Sequence, residues 1–194
     1  MTFATKSARA LALLALTAVL VAPVAQAKPK HDHAPSPAPA PAPETLSVTS
    51  KIVNAEGKQI GTAVLTQMAD TVRIELEAQG LPPGTHGIHF HEAGKCEPPA
   101  FESAKAHFNP ASKQHGFHNP KGFHAGDLPN ITVGDSGSIK AIINSRNVTL
   151  KPGQPNSLLK DGGTALVIHE KADDYVTDPS GNSGSRIACG VIAK

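Results

Sequence analysis

The chain has 194 residues, of which only 4% are aromatic, with no Trp, one Tyr and ten His. Its first 27 residues hold two of the 18 Lys and Arg and none of the 16 acids, so the remaining 167 carry no formal net charge. That balance argues against a nucleic-acid binder or a polybasic membrane binder, and the lack of aromatics against a base-stacking platform.

Residues 1–27 read as a cleaved signal peptide. Lys6 and Arg9 open it, an apolar run from Leu11 to Ala22 follows, and Ala25-Gln26-Ala27 supplies a small-x-small cleavage pattern. The run falls short of the roughly 20 apolar residues that cross a bilayer, so no stable membrane anchor is expected and the product should be periplasmic or secreted. Residues 28–44 alternate Pro with small residues and read as an extended tether with nothing to bury. Its His31-Asp32-His33 is either a weak metal site or part of a solvated tail.

From residue 45 onward the segments are short and strand-like. Leu46–Val53, Ile60–Gln67 and Thr71–Ala78 alternate apolar and polar residues, with turn residues between them. Gly87–His91, Ile131–Val133, Ser138–Ile143, Asn147–Leu150, Ala165–His169 and Arg186–Ile192 continue the series. No sustained helical period appears, so residues 45–194 are expected to form one all-β sandwich or barrel. Two long stretches break the rhythm, Glu92 to Gly126 and Glu170 to Ser185. Long loops in a compact domain tend to be functional.

Cys96 and Cys189 are the only cysteines, and in an exported chain two lone cysteines most simply pair. A metal-ligating or reactive thiol pair is the alternative, without CxxC spacing to support it.

Seven of the ten histidines fall between His86 and His124. His89 and His91 are two apart in a predicted strand, so both rings share one face while Ile88 and Phe90 share the other. His107, His115, His124 and Asp127 supply three imidazoles and a carboxylate, a set suited to closed tetrahedral zinc; incidental histidines on a polar loop are the alternative. His169 ends a strand candidate, followed by Glu170 and Asp173, which could orient a ligand ring. All-imidazole ligation suits copper. His86 and His118 read as supporting residues.

Together, Gly84-Thr-His86-Gly-Ile-His89-Phe-His91, His107-Phe-Asn-Pro110, His124-Ala-Gly-Asp127, His169-Glu-Lys-Ala-Asp173-Asp174 and Gly184-Ser-Arg186-Ile-Ala-Cys189-Gly190 resemble copper/zinc superoxide dismutase from about residue 45 to the end. The resemblance implies an eight-stranded Greek-key β-barrel carrying two long functional loops, with one copper and one zinc per subunit. It implies copper on His89, His91, His107 and His169, and zinc on His107, His115, His124 and Asp127, with His107 bridging the two. Asp173 would link a copper histidine to a zinc histidine, Arg186 would draw the anionic substrate to the copper, and Cys96–Cys189 would be the internal disulfide. A longer stretch from Cys96 to His107, a shorter one from His169 to Arg186, and the segment Gly116-Phe-His-Asn-Pro-Lys-Gly122 resemble the bacterial branch of the family. The expected activity is dismutation of superoxide by alternating copper(II) and copper(I), with zinc structural and His107 and Arg186 serving catalysis. The alternative is an exported copper and zinc store, or a dismutase-like binding protein without turnover. Superoxide is the expected partner and a homodimer a possible assembly. Lys95 and Lys171 are candidate charges at the mouth, or ordinary surface lysines.

Overall fold

The two-residue apolar period from Leu46 onward becomes antiparallel pairing in the computed structural model, which describes residues 46–194. The strands are β1 Ser47–Asn54, β2 Gln59–Gln67, β3 Val72–Gln79, β4 Gly84–His86, β5 Ile88–His91, β6 Ile131–Val133, β7 Ser138–Ser145, β8 Thr164–His169 and β9 Arg186–Ile192. Seven of them form one sheet in the order β5-β8-β9-β1-β2-β3-β7, and β4 pairs with β6. The passages from β3 to β4 and from β7 to β8 leave a strand for a non-neighbour, which is the Greek-key connection.

Nine strands reduce to the expected eight because β4 and β5 are one extended segment broken at Gly87. There the backbone turns aside: the Gly87 N–H donates to the Lys171 carbonyl at 2.7 Å and the Gly87 carbonyl accepts the His169 N–H at 2.8 Å. A bond from the Gly134 N–H to the Ser138 carbonyl, 3.4 Å, joins the ends of β6 and β7. The wall thus curls round from β7 through β6 and β4 to β5.

The interior follows the alternation. On β3, Val72, Ile74, Leu76 and Ala78 are buried while Arg73, Glu75 and Glu77 face outward. Ile52, Leu65, Ile74, Leu76, Ile88, Phe90, Leu166 and Ile168 join the main core. At roughly 1.5–3 kcal/mol for each fully buried large apolar side chain, this core stabilises the scaffold on which the loops rest.

One strand expectation is corrected. Asn147–Leu150 is not a strand; it makes a single bridge, Thr149 to Ser157. Its alternation is real, with Val148 and Leu150 buried, but side chains take the place of a ladder. The Gln67 Oε1 accepts from the Thr149 Oγ1 and the Leu150 N–H, and the Asn156 Nδ2 donates to the Asn147 carbonyl. No helix among the described residues is long and apolar enough to cross a membrane. The signal peptide, the tether and its His31 and His33 lie outside the described residues.

Candidate metal centre

Strand parity places the first three histidines. Ile88 and Phe90 of β5 enter the main core, so His89 and His91 face the outer wall, where the loops bury them. On β8, Leu166 and Ile168 enter the main core, while Ala165 and Val167 join a second cluster with Phe101, Ala104 and Cys189. His169 shares the parity of Ala165 and Val167. The register sets His89 opposite Val167 and His91 opposite Ala165, so the three rings occupy one outer patch. An irregularity in the β8–β9 register then puts Arg186 opposite His169. Ile187, the extra residue, packs against the main core instead, and the shift turns Arg186 toward the histidines.

The loop after β5 delivers the rest through backbone bonds to Phe90. The Phe90 N–H donates to the Gly126 carbonyl, the Phe108 N–H to the Phe90 carbonyl, and the Gly126 N–H to the Phe108 carbonyl, all at 2.8–2.9 Å. These ties align His91 with His107 and His89 with Asp127.

Two convergent groups result: His89, His91, His107 and His169, and His89, His107, His115 and Asp127, each with ligand atoms within 4.8 Å of one another. In the first group every outer nitrogen is held. The His89 Nε2 donates to the Asp173 Oδ2 at 2.7 Å and the His91 Nδ1 to the Lys105 carbonyl at 2.8 Å. The His107 Nδ1 lies 3.2 Å from the Asp127 Oδ1, and the His169 Nδ1 donates to the Gly184 carbonyl at 3.3 Å. The inner atoms, His89 Nδ1 and the Nε2 atoms of His91, His107 and His169, converge. Two of them, His89 Nδ1 and His107 Nε2, are buried with no hydrogen-bond partner. An orphaned buried polar atom costs on the order of 1–3 kcal/mol, a cost that a bound cation removes. Four neutral nitrogens directed at one point fit copper.

The second site is organised by Asp127. Its Oδ2 accepts the backbone N–H groups of Gly116 and His124, both at 3.0 Å. Its Oδ1 lies 3.2, 3.0 and 3.3 Å from the Nδ1 atoms of His107, His115 and His124. His124 therefore stands at the second group, although the quartet whose ligand atoms all lie within 4.8 Å of one another contains His89 in its place. The single free nitrogen of His89 can serve one ion only, and the all-imidazole group uses it. Three imidazoles and one carboxylate fit a closed zinc site.

Asp173 spans the two groups as the resemblance implies: its Oδ1 accepts from the His115 Nε2 at 3.0 Å while its Oδ2 holds His89. Gly181 makes room for it. A Cβ at that residue would collide with the Asp173 Oδ1, and its φ of +63° suits glycine.

The titration pattern of these residues follows from burial and neighbours. Burial holds His107 and His169 down at about 3, reinforced at His169 by His89 and His107. His89 and His91 are lowered by burial as well. Burial opposes the charged form of His115 too, but hydrogen bonds to Asp127 and Asp173 outweigh it and raise the ring to about 9. Against the upward pull of burial, bonds from the histidines hold both Asp127 and Asp173 well below the usual carboxylate range. The copper group is thus neutral and ready to ligate, whereas His115 carries a proton that a metal must displace.

Arg186 is half-buried, and its two terminal nitrogens donate to the Phe101 and Lys105 carbonyls at 2.6 Å each. The Lys105 carbonyl thereby serves both Arg186 and His91. The Cys96–Cys189 disulfide is formed, with Cα atoms 5.6 Å apart, and ties this loop to β9.

His86 is buried, with its two ring nitrogens 2.8 and 2.9 Å from the His169 and Pro82 carbonyls, so neither is free for a metal. His118 is exposed and lies edge-on to Tyr175. Lys95 and Lys171 are both exposed. Sequence reasoning missed Asn130, Tyr175, Asp178 and the carbonyls of Phe101 and Lys105, all of which hold the site residues. Asp178, for one, accepts the His115 backbone N–H at 2.7 Å. Main-chain partners leave no residue-type signature.

Residues 59–192 match the family described as copper/zinc superoxide dismutase. A relative named superoxide dismutase [Cu-Zn] 2 from Aquifex aeolicus is 52% identical over 150 residues, 77% of this chain and 88% of the relative. The chain belongs to the copper/zinc superoxide dismutase family. Among solved structures, a SOD-like protein from Bacillus subtilis is similar with a TM-score of 0.72 and 46% identity, covering 74% of this chain and 96% of that one. The Cu/Zn superoxide dismutase from Brucella abortus gives 0.63 and 28%, covering 76% and 99%. Family membership and donor chemistry agree on copper and zinc.

Proposed function

We propose that this member of the family dismutes superoxide, with copper held by His89, His91, His107 and His169 and zinc by His107, His115, His124 and Asp127. The observation that carries the reading is the convergence of four imidazole nitrogens, two of them buried without a partner, beside a half-buried arginine. Copper held there would supply one-electron chemistry between copper(II) and copper(I), enough to oxidise one superoxide to oxygen and reduce the next to hydrogen peroxide, and zinc would be structural.

The chain's own residues do the rest. Arg186 places a fixed cation beside His91 and His169, and in a partly desolvated mouth such a charge attracts a small anion more strongly than in open water. Reduction to peroxide consumes two protons. His107 would hold one at Nε2 only while that atom is not holding copper, its Nδ1 side fixed at Asp127. Asp173 holds the His89 Nε2–H and so keeps Nδ1 of that ring as the inward atom.

A store or a binding protein without turnover is the competing reading, and a relative 47% identical bears the name superoxide dismutase-like protein. Arg186 and the complete four-histidine group favour the enzyme, since storage needs no substrate-guiding arginine. We further read the chain as exported to the periplasm or secreted. The leader at residues 1–27 and the disulfide support this.

Purified protein loaded with copper and zinc is expected to consume superoxide, and His107→Ala to lose both metals as well as activity. Metal analysis and a superoxide-consumption assay read both outcomes. Full copper and zinc content in His107→Ala would refute the bridging role.

A further inference from the structure

We propose that Asn130 is a positioning residue that fixes the spacing between Asp127 and Asp173, the two carboxylates flanking His115, and through it the hold on zinc and the orientation of His89. In sequence, Asn130 is conspicuous only as the head of Asn130-Ile-Thr132, a glycosylation pattern. In the fold both the oxygen and the nitrogen of its amide are bonded to Asp173. The Asn130 Oδ1 accepts the Asp173 N–H at 2.9 Å, and the Asn130 Nδ2 donates to the Asp173 carbonyl at 2.9 Å. One side chain thus pairs with both main-chain groups of Asp173, as a neighbouring strand would. The Asn130 N–H donates in turn to the Tyr175 Oη at 2.6 Å, and the Tyr175 N–H donates to the Asp173 Oδ1 at 2.6 Å. The clamp therefore fixes the backbone of Asp173 and, through Tyr175, one of its carboxylate oxygens.

Its place in the chain gives the clamp its effect. Asn130 lies three residues after Asp127, at the entry to β6, whereas Asp173 belongs to the loop before β9. His115 sits between the two carboxylates, its Nδ1 and Nε2 each 3.0 Å from one of them. Without the clamp, the main chain of Asp173 has no tie outside its own loop, while its two oxygens must still meet His89 and His115 together. An amide presents an acceptor and a donor side by side, as the two main-chain groups of Asp173 require; Asp supplies the acceptor alone.

This inference rests on the metal-centre reading, and the test separates the two. The whole protein, loaded with both metals, is compared as wild type, Asn130→Ala, Asp173→Ala and the double variant. Zinc release is followed with a chromophoric chelator, and the copper site by its visible absorption. Asn130→Ala is expected to speed zinc release roughly tenfold to a hundredfold, the range seen when outer partners of metal ligands are lost. It should also shift the copper absorption toward that of Asp173→Ala. Added to Asp173→Ala, it should change zinc release by less than about twofold, because its route of action is already gone. Asn130→Asp, of the same size, carries the same cycle where the alanine variant does not fold. Losses that add in full across the cycle, or wild-type zinc retention in Asn130→Ala, would overturn the clamp alone. Wild-type protein that keeps neither metal would overturn the metal-centre reading and the clamp with it.

Discussion

Arg186 illustrates how much of this site is done by single residues held from behind. A surface arginine spreads over many rotamers, but this one is gripped at both terminal nitrogens by the Phe101 and Lys105 carbonyls. Its charge is consequently fixed near His91 and His169, and although Glu102 acts on it through space, no salt bridge to Arg186 occurs among the described residues. Arg186→Ala is expected to keep both metals while losing on the order of 10- to 1000-fold in the bimolecular rate at low salt, the range over which a focused charge acts. Arg186→Lys should recover only part of the loss, because an ammonium cannot span two carbonyls as the guanidinium fork does. Metal analysis alongside superoxide consumption at low ionic strength checks both variants. Unchanged turnover in Arg186→Ala would remove guidance from the account.

At the scale of elements, the wall supplies parity and the loops supply convergence. The loop from β5 to β6 leans on the outer face of β8 through Phe101, Ala104, Ala165 and Val167, and the disulfide anchors it there. The bond closes a span of 93 residues, for which the chain-entropy model gives roughly 4–5 kcal/mol, an upper figure for intact geometry. Reduction, or Cys96→Ser, should lower the melting temperature and also cut activity, because Arg186 and His91 both depend on carbonyls of this loop. Melting curves and turnover of oxidised and reduced protein test this. Full activity in a reduced protein of lower stability would show that the loop holds itself. Element by element, legibility tracked the range of the interaction. β1, β2 and β3 were readable because a half-buried strand writes period two into its own residues. β4 was not, since three residues beside Gly87 are too few to carry a period, and Asn147–Leu150 misled because buried Val148 and Leu150 alternate without a ladder. The ligand histidines stood out as residue types at telling positions, with the family resemblance dividing them between two metals. Asn130 was hidden because its partner is the backbone of Asp173, 43 positions away.

The molecule as a whole is close to neutral once residues 1–27 are set aside, so capture of an anion must come from local placement, and the pH dependence of stability from local titrations. The metal-free protein concentrates these titrations in one cluster. His107 and His169 are held at about 3, and His89 and His91 are lowered too, against about 6.5 in an unfolded chain. Below pH 6.5 the unfolded chain therefore takes up protons that these folded residues refuse, and stability falls as the pH drops toward 3. Asp127 and Asp173, both depressed, add to the loss below about pH 4, where unfolded carboxylates begin to protonate. His115 has the opposite sign. Raised to about 9, it contributes fully below 6.5 and loses that contribution as the pH climbs through 9. The metal-free melting temperature is expected to peak near pH 6.5, falling steeply on the acid side, where several groups act together, and gently on the alkaline side, where one does. Zinc held by His115 would displace its proton from Nδ1, so loading should abolish the alkaline decline and release close to one proton per zinc at pH 7. Melting scans from pH 4 to 10 with and without metal, and zinc calorimetry in buffers of different ionisation enthalpy, measure both effects. An alkaline decline that persists undiminished in zinc-loaded protein would show that His115 is not the residue the zinc deprotonates.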